Sequence, residues 1–564
     1  MKEKIKIGLL IKDHTLKLWQ YRVLEKLHNS EFSKLVLLIE TDENSVKPKS
    51  GDYSALYRFH EKLDGWLYKD RFDYEKEIDF SHLVEGIPVI PDYLPVKESA
   101  LKEPQAPNSK LSDYNIDVIL NFGFVLLNDD LLKVPKYGIW SYNIGDKRSI
   151  IGNPDVYWEL VEKIPEIGCT VSMIQGDYSK ENIIYKSSVS TFSNSININR
   201  NRIYSLAALI IPRIIKGLFT DGDLYLERLK NKYEYDLKIY NSKLYRSPTS
   251  VKAFINLILI FTNSLYRKII YLKNENWFLL FKINTTTQAF PATLSKFNKL
   301  IAPGGSYWAD PFAVNDNDKY YVFIEEYLYK TEKAHLSVLR LDNNGSLLNS
   351  KIIIKKPYHL SYPMVFSYEG KYFMVPETKS ERNIQLYVCT GFPDKWEFSM
   401  NLMENVAAVD STLFFHDNKW WLFTSVDEME HPDLTHNELF LYYSDDLFSG
   451  HWKSHPGNPI VTEISTSRCA GRIFNYNGKT FRPSQDCSGG YGRAFNLNQI
   501  TKLTESEYEE KLLTKVEPDW DKRLVGMHTF NLDDNIIVLD ACTRRKRFNF
   551  HLHRGHTFTL KNEF

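Results

Sequence analysis

The chain has 564 residues, too many for one hydrophobic core, so two or three domains are expected. Hydrophobic residues make up 43% and charged residues 25%, with Lys+Arg and Asp+Glu balanced at 71 each. That balance excludes the basic footprint of a nucleic-acid binder and the acidic block of a disordered tail.

Residues 1 to about 215 alternate short apolar strands with helical patterns. Ile5–Ile11 reads as a buried strand, Thr15–Leu27 as a helix, and Leu35–Glu40 and Ile116–Leu120 as further strands. This order predicts an α/β domain with a mostly parallel sheet covered by helices. No Gly-x-Gly-x-x-Gly follows the first strand, so a dinucleotide fingerprint is absent. The apolar run at the N-terminus is too short for a signal peptide, and no stretch reaches the ~18–20 apolar residues that span a bilayer. Five widely spaced cysteines (Cys169, Cys389, Cys469, Cys487 and Cys542) lack metal-ligand spacing. They read as reduced thiols of a cytoplasmic protein.

Residues 216–295 read as a helical connector. Asp221–Tyr245 is charged and helical in pattern. Pro248–Leu272 is amphipathic, with Phe254, Leu257, Ile258 and Phe261 on one face and Arg267 and Lys268 near its end. It either packs on a neighbouring domain or lies on a membrane surface through 248–272.

From about 296 to 564 the pattern is all-β and repeats. Five segments each hold a strand, a polar hairpin and a second strand. Their hairpins fall at Lys319, Lys371, Lys419, Lys479 and Asn535, at steps of 52, 48, 60 and 56. A period near ~50 residues with two strong strands per unit predicts a five-bladed β-propeller. Equivalent positions then share one depth around the axis. The first strands contribute Asp310, Tyr362, Asp410, Arg472 and His528, and the strands after the hairpins contribute Glu325, Glu377, Ser425, Gln485 and a residue near Asp540. Carboxylates, Arg and His at one depth are costly unless they pair or bind something, so the channel is the candidate site. Its plain alternative is a salt-linked plug, and Glu326 and Asp540 are the members most readily explained by structure alone. The high aromatic share, 14%, suits both blade packing and stacking on sugar rings.

Trp308-Ala-Asp-Pro-Phe312 resembles the opening of the five-bladed propellers of glycoside hydrolase family 43. His359-Leu-Ser-Tyr-Pro363, Val375-Pro-Glu377, Trp420-Trp-Leu-Phe423, Arg482-Pro-Ser-Gln-Asp-Cys-Ser488 and Tyr491-Gly492 resemble the N-terminal propeller module of glucosamine inositolphosphorylceramide transferases. The first resemblance implies Asp310 as general base and Glu377 or Asp410 as general acid. Tyr362 stands where that family has a second aspartate. Trp308, Glu325, Tyr362, Arg472, Arg482, Gln485, Asp486, Tyr491 and His528 are then the expected substrate contacts.

Lys136–Asp146, Gly152–Trp158 and Gly168–Val171 resemble the formyltransferase family, which implies a doubly wound α/β fold over 1–215. Its catalytic positions are replaced: Ser141 stands for Asn, Asn143 for His, and only Asp177 lies near the later Asp. An amide cannot shuttle a proton near neutral pH. Formyl-tetrahydrofolate is therefore not expected, and Asn143, Asp146 and Trp158 are left as pocket residues. Three functions are weighed. They are a carbohydrate-active enzyme in surface polysaccharide or glycoconjugate biosynthesis, a formyl- or acyltransferase acting on an amino sugar, and a glycan-binding scaffold. A nucleotide-sugar is the candidate donor, and no metal is expected.

Overall fold

The structure is a computed structural model that describes residues 2–40, 53–91, 111–123, 131–145, 150–152, 154–233, 243–245, 247–283, 297–316, 319–428, 438–533 and 535–546. Two units are present, Met1–Phe261 and Thr262–Phe564.

The first unit is built on a seven-stranded sheet. Its spatial order is Val89–Ile90, Ser33–Glu40, Ile5–Ile11, Val118–Asn121, Ile139–Ile144, Glu166–Gln175, Asp177–Ser190. The first five run parallel to their neighbours and the last two antiparallel. Ile7, Leu9, Leu10 and Ile11 are all buried, as a continuous apolar run in a covered parallel strand requires. Helix Leu18–His28 and helix Ile196–Asp221 pack on this sheet and on each other. The latter is long and apolar enough to cross a membrane by length and composition, but 72% of its apolar window is buried inside the protein. It is a core helix with Asn199 and Arg200 in its first turns and Arg213 and Lys216 in its later ones, so the sequence shows no long unbroken apolar run there.

The charged stretch of the expected connector forms helix Asp223–Tyr233 and strand Lys243–Tyr245, and the amphipathic stretch forms helix Ser250–Ile270. Tyr271–Ile283 also falls within the expected connector, yet it is a strand of the second unit.

The second unit is a five-bladed β-propeller. Blades one to four are four-stranded antiparallel sheets that begin at Ser306, Ser361, Ala408 and Phe474. The fifth joins the first and last described strands of this unit. Strand Tyr271–Ile283 pairs with Ile536–Lys546, from Ile283 opposite Ile536 to Tyr271 opposite Lys546. Strands Leu524–Gly526 and Phe530–Asp533 lie on its inner side and Asn298–Leu300 on its outer side. Sharing one blade between distant segments closes the ring and ties its ends together.

Local chemistry sets the blade register. The hairpin residues Glu369-Gly370, Asp417-Asn418 and Asn477-Gly478 all have positive φ at both positions. That is the type I′ turn, whose twist matches two tightly joined antiparallel strands. A second shared feature lies in the inner strands. Pairing slips between Ala309 and Phe312, Ser361 and Met364, and Val409 and Thr412. Each slip is a β-bulge that inserts one residue and re-aims its neighbours.

Candidate functional site in the propeller channel

The bulges place Asp310, Tyr362 and Asp410 in the left-handed region, at φ 48°, 46° and 50°. A tyrosine there is strained, and such strain persists where surrounding structure over-determines it. The fourth blade uses Gly471 at φ 128°, where a Cβ would sit 2.1 Å from the Phe530 carbonyl oxygen.

From these positions the inner strands bond one another between blades. The Asp310 carboxylate accepts from the Thr529 hydroxyl at 2.7 Å and from the Tyr362 N–H at 3.2 Å. The Asp310 N–H donates to Asp540 at 3.1 Å. Asp540 also accepts the N–H groups of His528 and Thr529 and lies 2.6 Å from His528 Nδ1. The Tyr362 hydroxyl accepts the Gly471 N–H at 2.7 Å and lies 2.8 Å from Thr412 Oγ1. Asp410 is held by the Arg468 Nε–H and by the Gln485 amide at 2.9 Å.

Two further carboxyl groups, Glu325 and Glu377, complete the cluster. Glu325 lies 3.5 Å from His359 Nε2. Burial, then the Asp310 and Glu377 carboxylates, push Glu325 well above the usual carboxylate range. Burial, then Asp410, push Glu377 up to about 8, against the pull of Arg468. Burial likewise raises Asp310, opposed by His528. For His528, burial pulls downward, but Asp540 and Asp310 lift it to about 8. Glu377 Oε2, Ser425 Oγ and Arg468 Nη1 have no hydrogen-bond partner among the described residues. Buried polar atoms left open in this way mark where a polar ligand or water fits.

Aromatic side chains stand around the cluster. Tyr491 is 49% exposed, lies over the Arg468 guanidinium at 4.7 Å and meets His528 edge-on at 5.3 Å. Trp277 stacks on the other ring neighbour, His528, at 4.1 Å. Tyr307 and Tyr327 stack on each other at 4.6 Å.

The structure therefore brings Asp310, Glu325, Tyr362, Glu377, Asp410, Gln485, Tyr491 and His528 together. Four expected contacts are elsewhere. Arg472 bonds Asp533 and the Ala313 and Val365 carbonyls, because the fourth blade's bulge position is Gly471, one residue earlier. Arg482 is fully buried inside the fourth blade, held by both Glu510 oxygens and the Thr466 carbonyl. Asp486 accepts from Ser488 and pairs with Lys515. Trp308 is 2% exposed and packs with Leu279, Ala313 and Ile324. Glu326 bonds His335 and Ser337, away from the cluster.

Arg468, Trp277 and Thr529 were not anticipated. Arg468 lies between repeats, and Trp277 precedes the first one, so neither carries a periodic signal. The atoms of Asp310, His528 and Asp540 lie within 4.8 Å of one another, a grouping that could hold a metal ion and that the wide sequence spacing concealed. Their mutual ion pairs and backbone hydrogen bonds already satisfy most of those atoms.

In the first unit, Asn143 donates to the Ser172 hydroxyl at 3.3 Å, and Trp158 is buried in a cluster with Tyr57 and Tyr157. Trp158 is thus a core residue, and Asp146 lies outside the described residues.

Comparison with known proteins adds to this geometry. Residues 292–534 match the family described as "Glucosamine inositolphosphorylceramide transferase 1, N-terminal". The chain is 36% identical over 208 residues to glucosamine inositolphosphorylceramide transferase 1 of Oryza sativa subsp. japonica. It is 30% identical over 208 residues to that of Arabidopsis thaliana. The rice match covers 36% of this chain and only 28% of the relative's length, so most of the relative lies outside the shared region. Among solved structures, similar folds include a family 117 glycoside hydrolase of Zobellia galactanivorans. That match has 13% identity, covers 47% of this chain and 91% of the other, and has a TM-score of 0.31. A thermostable family-43 glycoside hydrolase is also similar, at 12% identity, 38% and 77% coverage and a TM-score of 0.29.

Proposed function

We propose that the protein binds a carbohydrate in the propeller channel and acts on it by glycosyl transfer or hydrolysis, in the biosynthesis of a surface polysaccharide or glycoconjugate. The observation that carries this reading is a buried cluster of carboxyl groups with one oxygen of Glu377 left open. Glu377, raised to about 8 with one oxygen open, is a proton donor at neutral pH. Asp410 is held beside Arg468 and Gln485. Burial raises both Glu377 and Asp310, but His528 pulls against that rise at Asp310, which suits Asp310 to the base role and Glu377 to the acid role. Glu377 would protonate a departing oxygen, while Asp310, with Glu325 beside it, takes the proton of a water or an acceptor hydroxyl. The similarity to transferases named for glucosamine and inositolphosphorylceramide supports a sugar as the ligand, and a nucleotide-sugar is the donor we propose.

A second reading, a glycan-binding scaffold, is favoured by Asp310 itself. Its carboxylate is already occupied by Thr529 and Tyr362, and Tyr362 replaces a second carboxylate. For the first unit, we read the sheet as doubly wound and formyltransferase-like. The support is its strand order, which runs outward in both directions from Ile5–Ile11. The five cysteines stand as free thiols, which supports a cytoplasmic location.

The test is a thermal-shift screen of nucleotide-sugars and short glycans on wild type, Glu377→Gln and Asp310→Asn. A sugar that stabilises the wild type, bound but not turned over by Glu377→Gln, supports an enzyme. Binding and no turnover by any form would leave the scaffold reading standing. Stabilisation by folate alone, equal in all three, would refute a sugar site in the channel.

A further inference from the structure

Helix Ser250–Ile270 presents an apolar face to solvent. Val251, Phe254, Ile255, Phe261, Leu265 and Ile269 are 46–68% exposed. At 3.6 residues per turn they fall within one sector about 120° wide. The opposite side is anchored. Ala253 is fully buried, Asn256 donates to the Tyr157 hydroxyl at 2.9 Å, and Ile260 packs against the cluster of Tyr57, Tyr157 and Trp158. An apolar sector of this extent marks an interaction surface.

Charge decides among occupants. Between residues 241 and 274 the chain carries Lys243, Arg246, Lys252, Arg267, Lys268 and Lys273, and no Asp or Glu. The whole chain, by contrast, is balanced at 71 basic and 71 acidic residues. A protein partner would need only the apolar sector. A stretch of sequence that carries cations and no acidic residue around that helix matches an anionic lipid surface. The anchored side excludes a spanning role, because a helix tied along one face to a folded unit cannot be surrounded by lipid.

We propose that Ser250–Ile270 is an interfacial membrane helix, lying in the headgroup region of an anionic bilayer with its apolar sector towards the acyl chains. This goes beyond the channel reading and does not depend on which reaction, if any, the propeller performs. It locates the chain at a membrane surface, where a lipid-linked or membrane-bound sugar acceptor would be within reach.

Co-sedimentation of the full chain with vesicles tests it. The wild type should bind vesicles of phosphatidylcholine with phosphatidylserine, bind phosphatidylcholine alone more weakly, and release as salt is raised. Phe254→Glu with Phe261→Glu, both at exposed positions, should lower partitioning by roughly tenfold or more. Arg267→Gln with Lys268→Gln should weaken binding and flatten its salt dependence. Far-UV circular dichroism and an unchanged melting temperature confirm that each variant folds, and the salt series on wild type stands without any variant. Wild type that stays in the supernatant with both vesicle types overturns the proposal. So does a concentration-dependent oligomer, abolished by the double Glu variant, with no vesicle binding.

Discussion

Arg468 and Asp410 form an ion pair in which both side chains are almost fully buried, across 58 positions of sequence and the boundary between the third and fourth blades. Desolvating two charges is costly, and the pair is stable only while both members are present. Arg468→Ala is expected to lower propeller stability by about 3–5 kcal/mol, because Asp410 would be left as an uncompensated buried charge. Arg468→Ala with Asp410→Asn should recover part of that loss. Thermal and urea unfolding of these two variants and of Asp410→Asn alone measure it, and an additive double variant would show that the two residues are not coupled.

Stability should fall as pH rises from about 5 to 8. Glu377 moves from its ordinary 4.5 in the unfolded chain to about 8 in the folded protein, so the folded state binds the extra proton across that interval. Stability is then greatest below the unfolded value and is lost through the window. His528 acts in the same direction over a narrower range, from 6.5 to about 8, because its raised value means the folded state holds its proton longer. Glu377→Gln removes the first contribution and keeps the second. Its melting temperature should change less than that of wild type between pH 5 and 6.5, and exceed it at pH 8. Equal pH slopes for the two proteins would mean that Glu377 is ionised when folded and cannot serve as the acid.

The blades were legible in the sequence because each is made from adjacent segments. Asp417-Asn418 and Asn477-Gly478 announce their own hairpins, and the strands beside them pair locally. The fifth blade was only half legible, since Tyr271–Ile283 finds its partner in Ile536–Lys546, more than 250 positions away by the registered pair Ile283 and Ile536. The site shows the same division. Asp310, Tyr362 and Asp410 fell into place because the bulge recurs at the same repeat position. Arg472 was misplaced because the fourth blade fills that position with Gly471, and a one-residue slip reverses where a strand's side chains point. Arg482 was read from a motif as a ligand contact, yet its bidentate bond to Glu510 makes it a blade fastener. A motif marks a residue as special without saying whether folding or binding is the reason.

Tyr362 offers a test of the strained inner strands. Its hydroxyl is the acceptor for the buried Gly471 N–H, and its own N–H donates to Asp310. Tyr362→Phe keeps the ring and the backbone but leaves the Gly471 N–H unsatisfied. The expected cost is about 1–3 kcal/mol, read as a lower melting temperature. Loss of that acceptor should also loosen the neighbouring Asp310 and Thr412, so any sugar bound in the channel should dissociate faster. A variant as stable as wild type would mean that water replaces the hydroxyl and that the channel is open at this depth.

Tyr491 and Arg482 should separate recognition from folding. Tyr491 is half exposed above the Arg468 guanidinium and beside His528, where an apolar sugar face can stack. Tyr491→Ala should weaken a channel ligand roughly five- to tenfold, the size of one lost stacking contact. Its melting temperature should stay near that of wild type, since the exposed half of the ring contributes little to packing. Arg482→Ala should do the reverse. Arg482 is fully buried and carries the pair with Glu510, so its loss strands a charge and lowers stability by about 3–5 kcal/mol. Where enough folded protein remains at low temperature, ligand affinity should be close to wild type. Isothermal titration with the sugar found in the screen, set beside the melting curves, distinguishes them. If Arg482→Ala lost affinity in its folded fraction and Tyr491→Ala did not, the ligand would contact the fourth blade around Arg482 rather than the exposed ring of Tyr491.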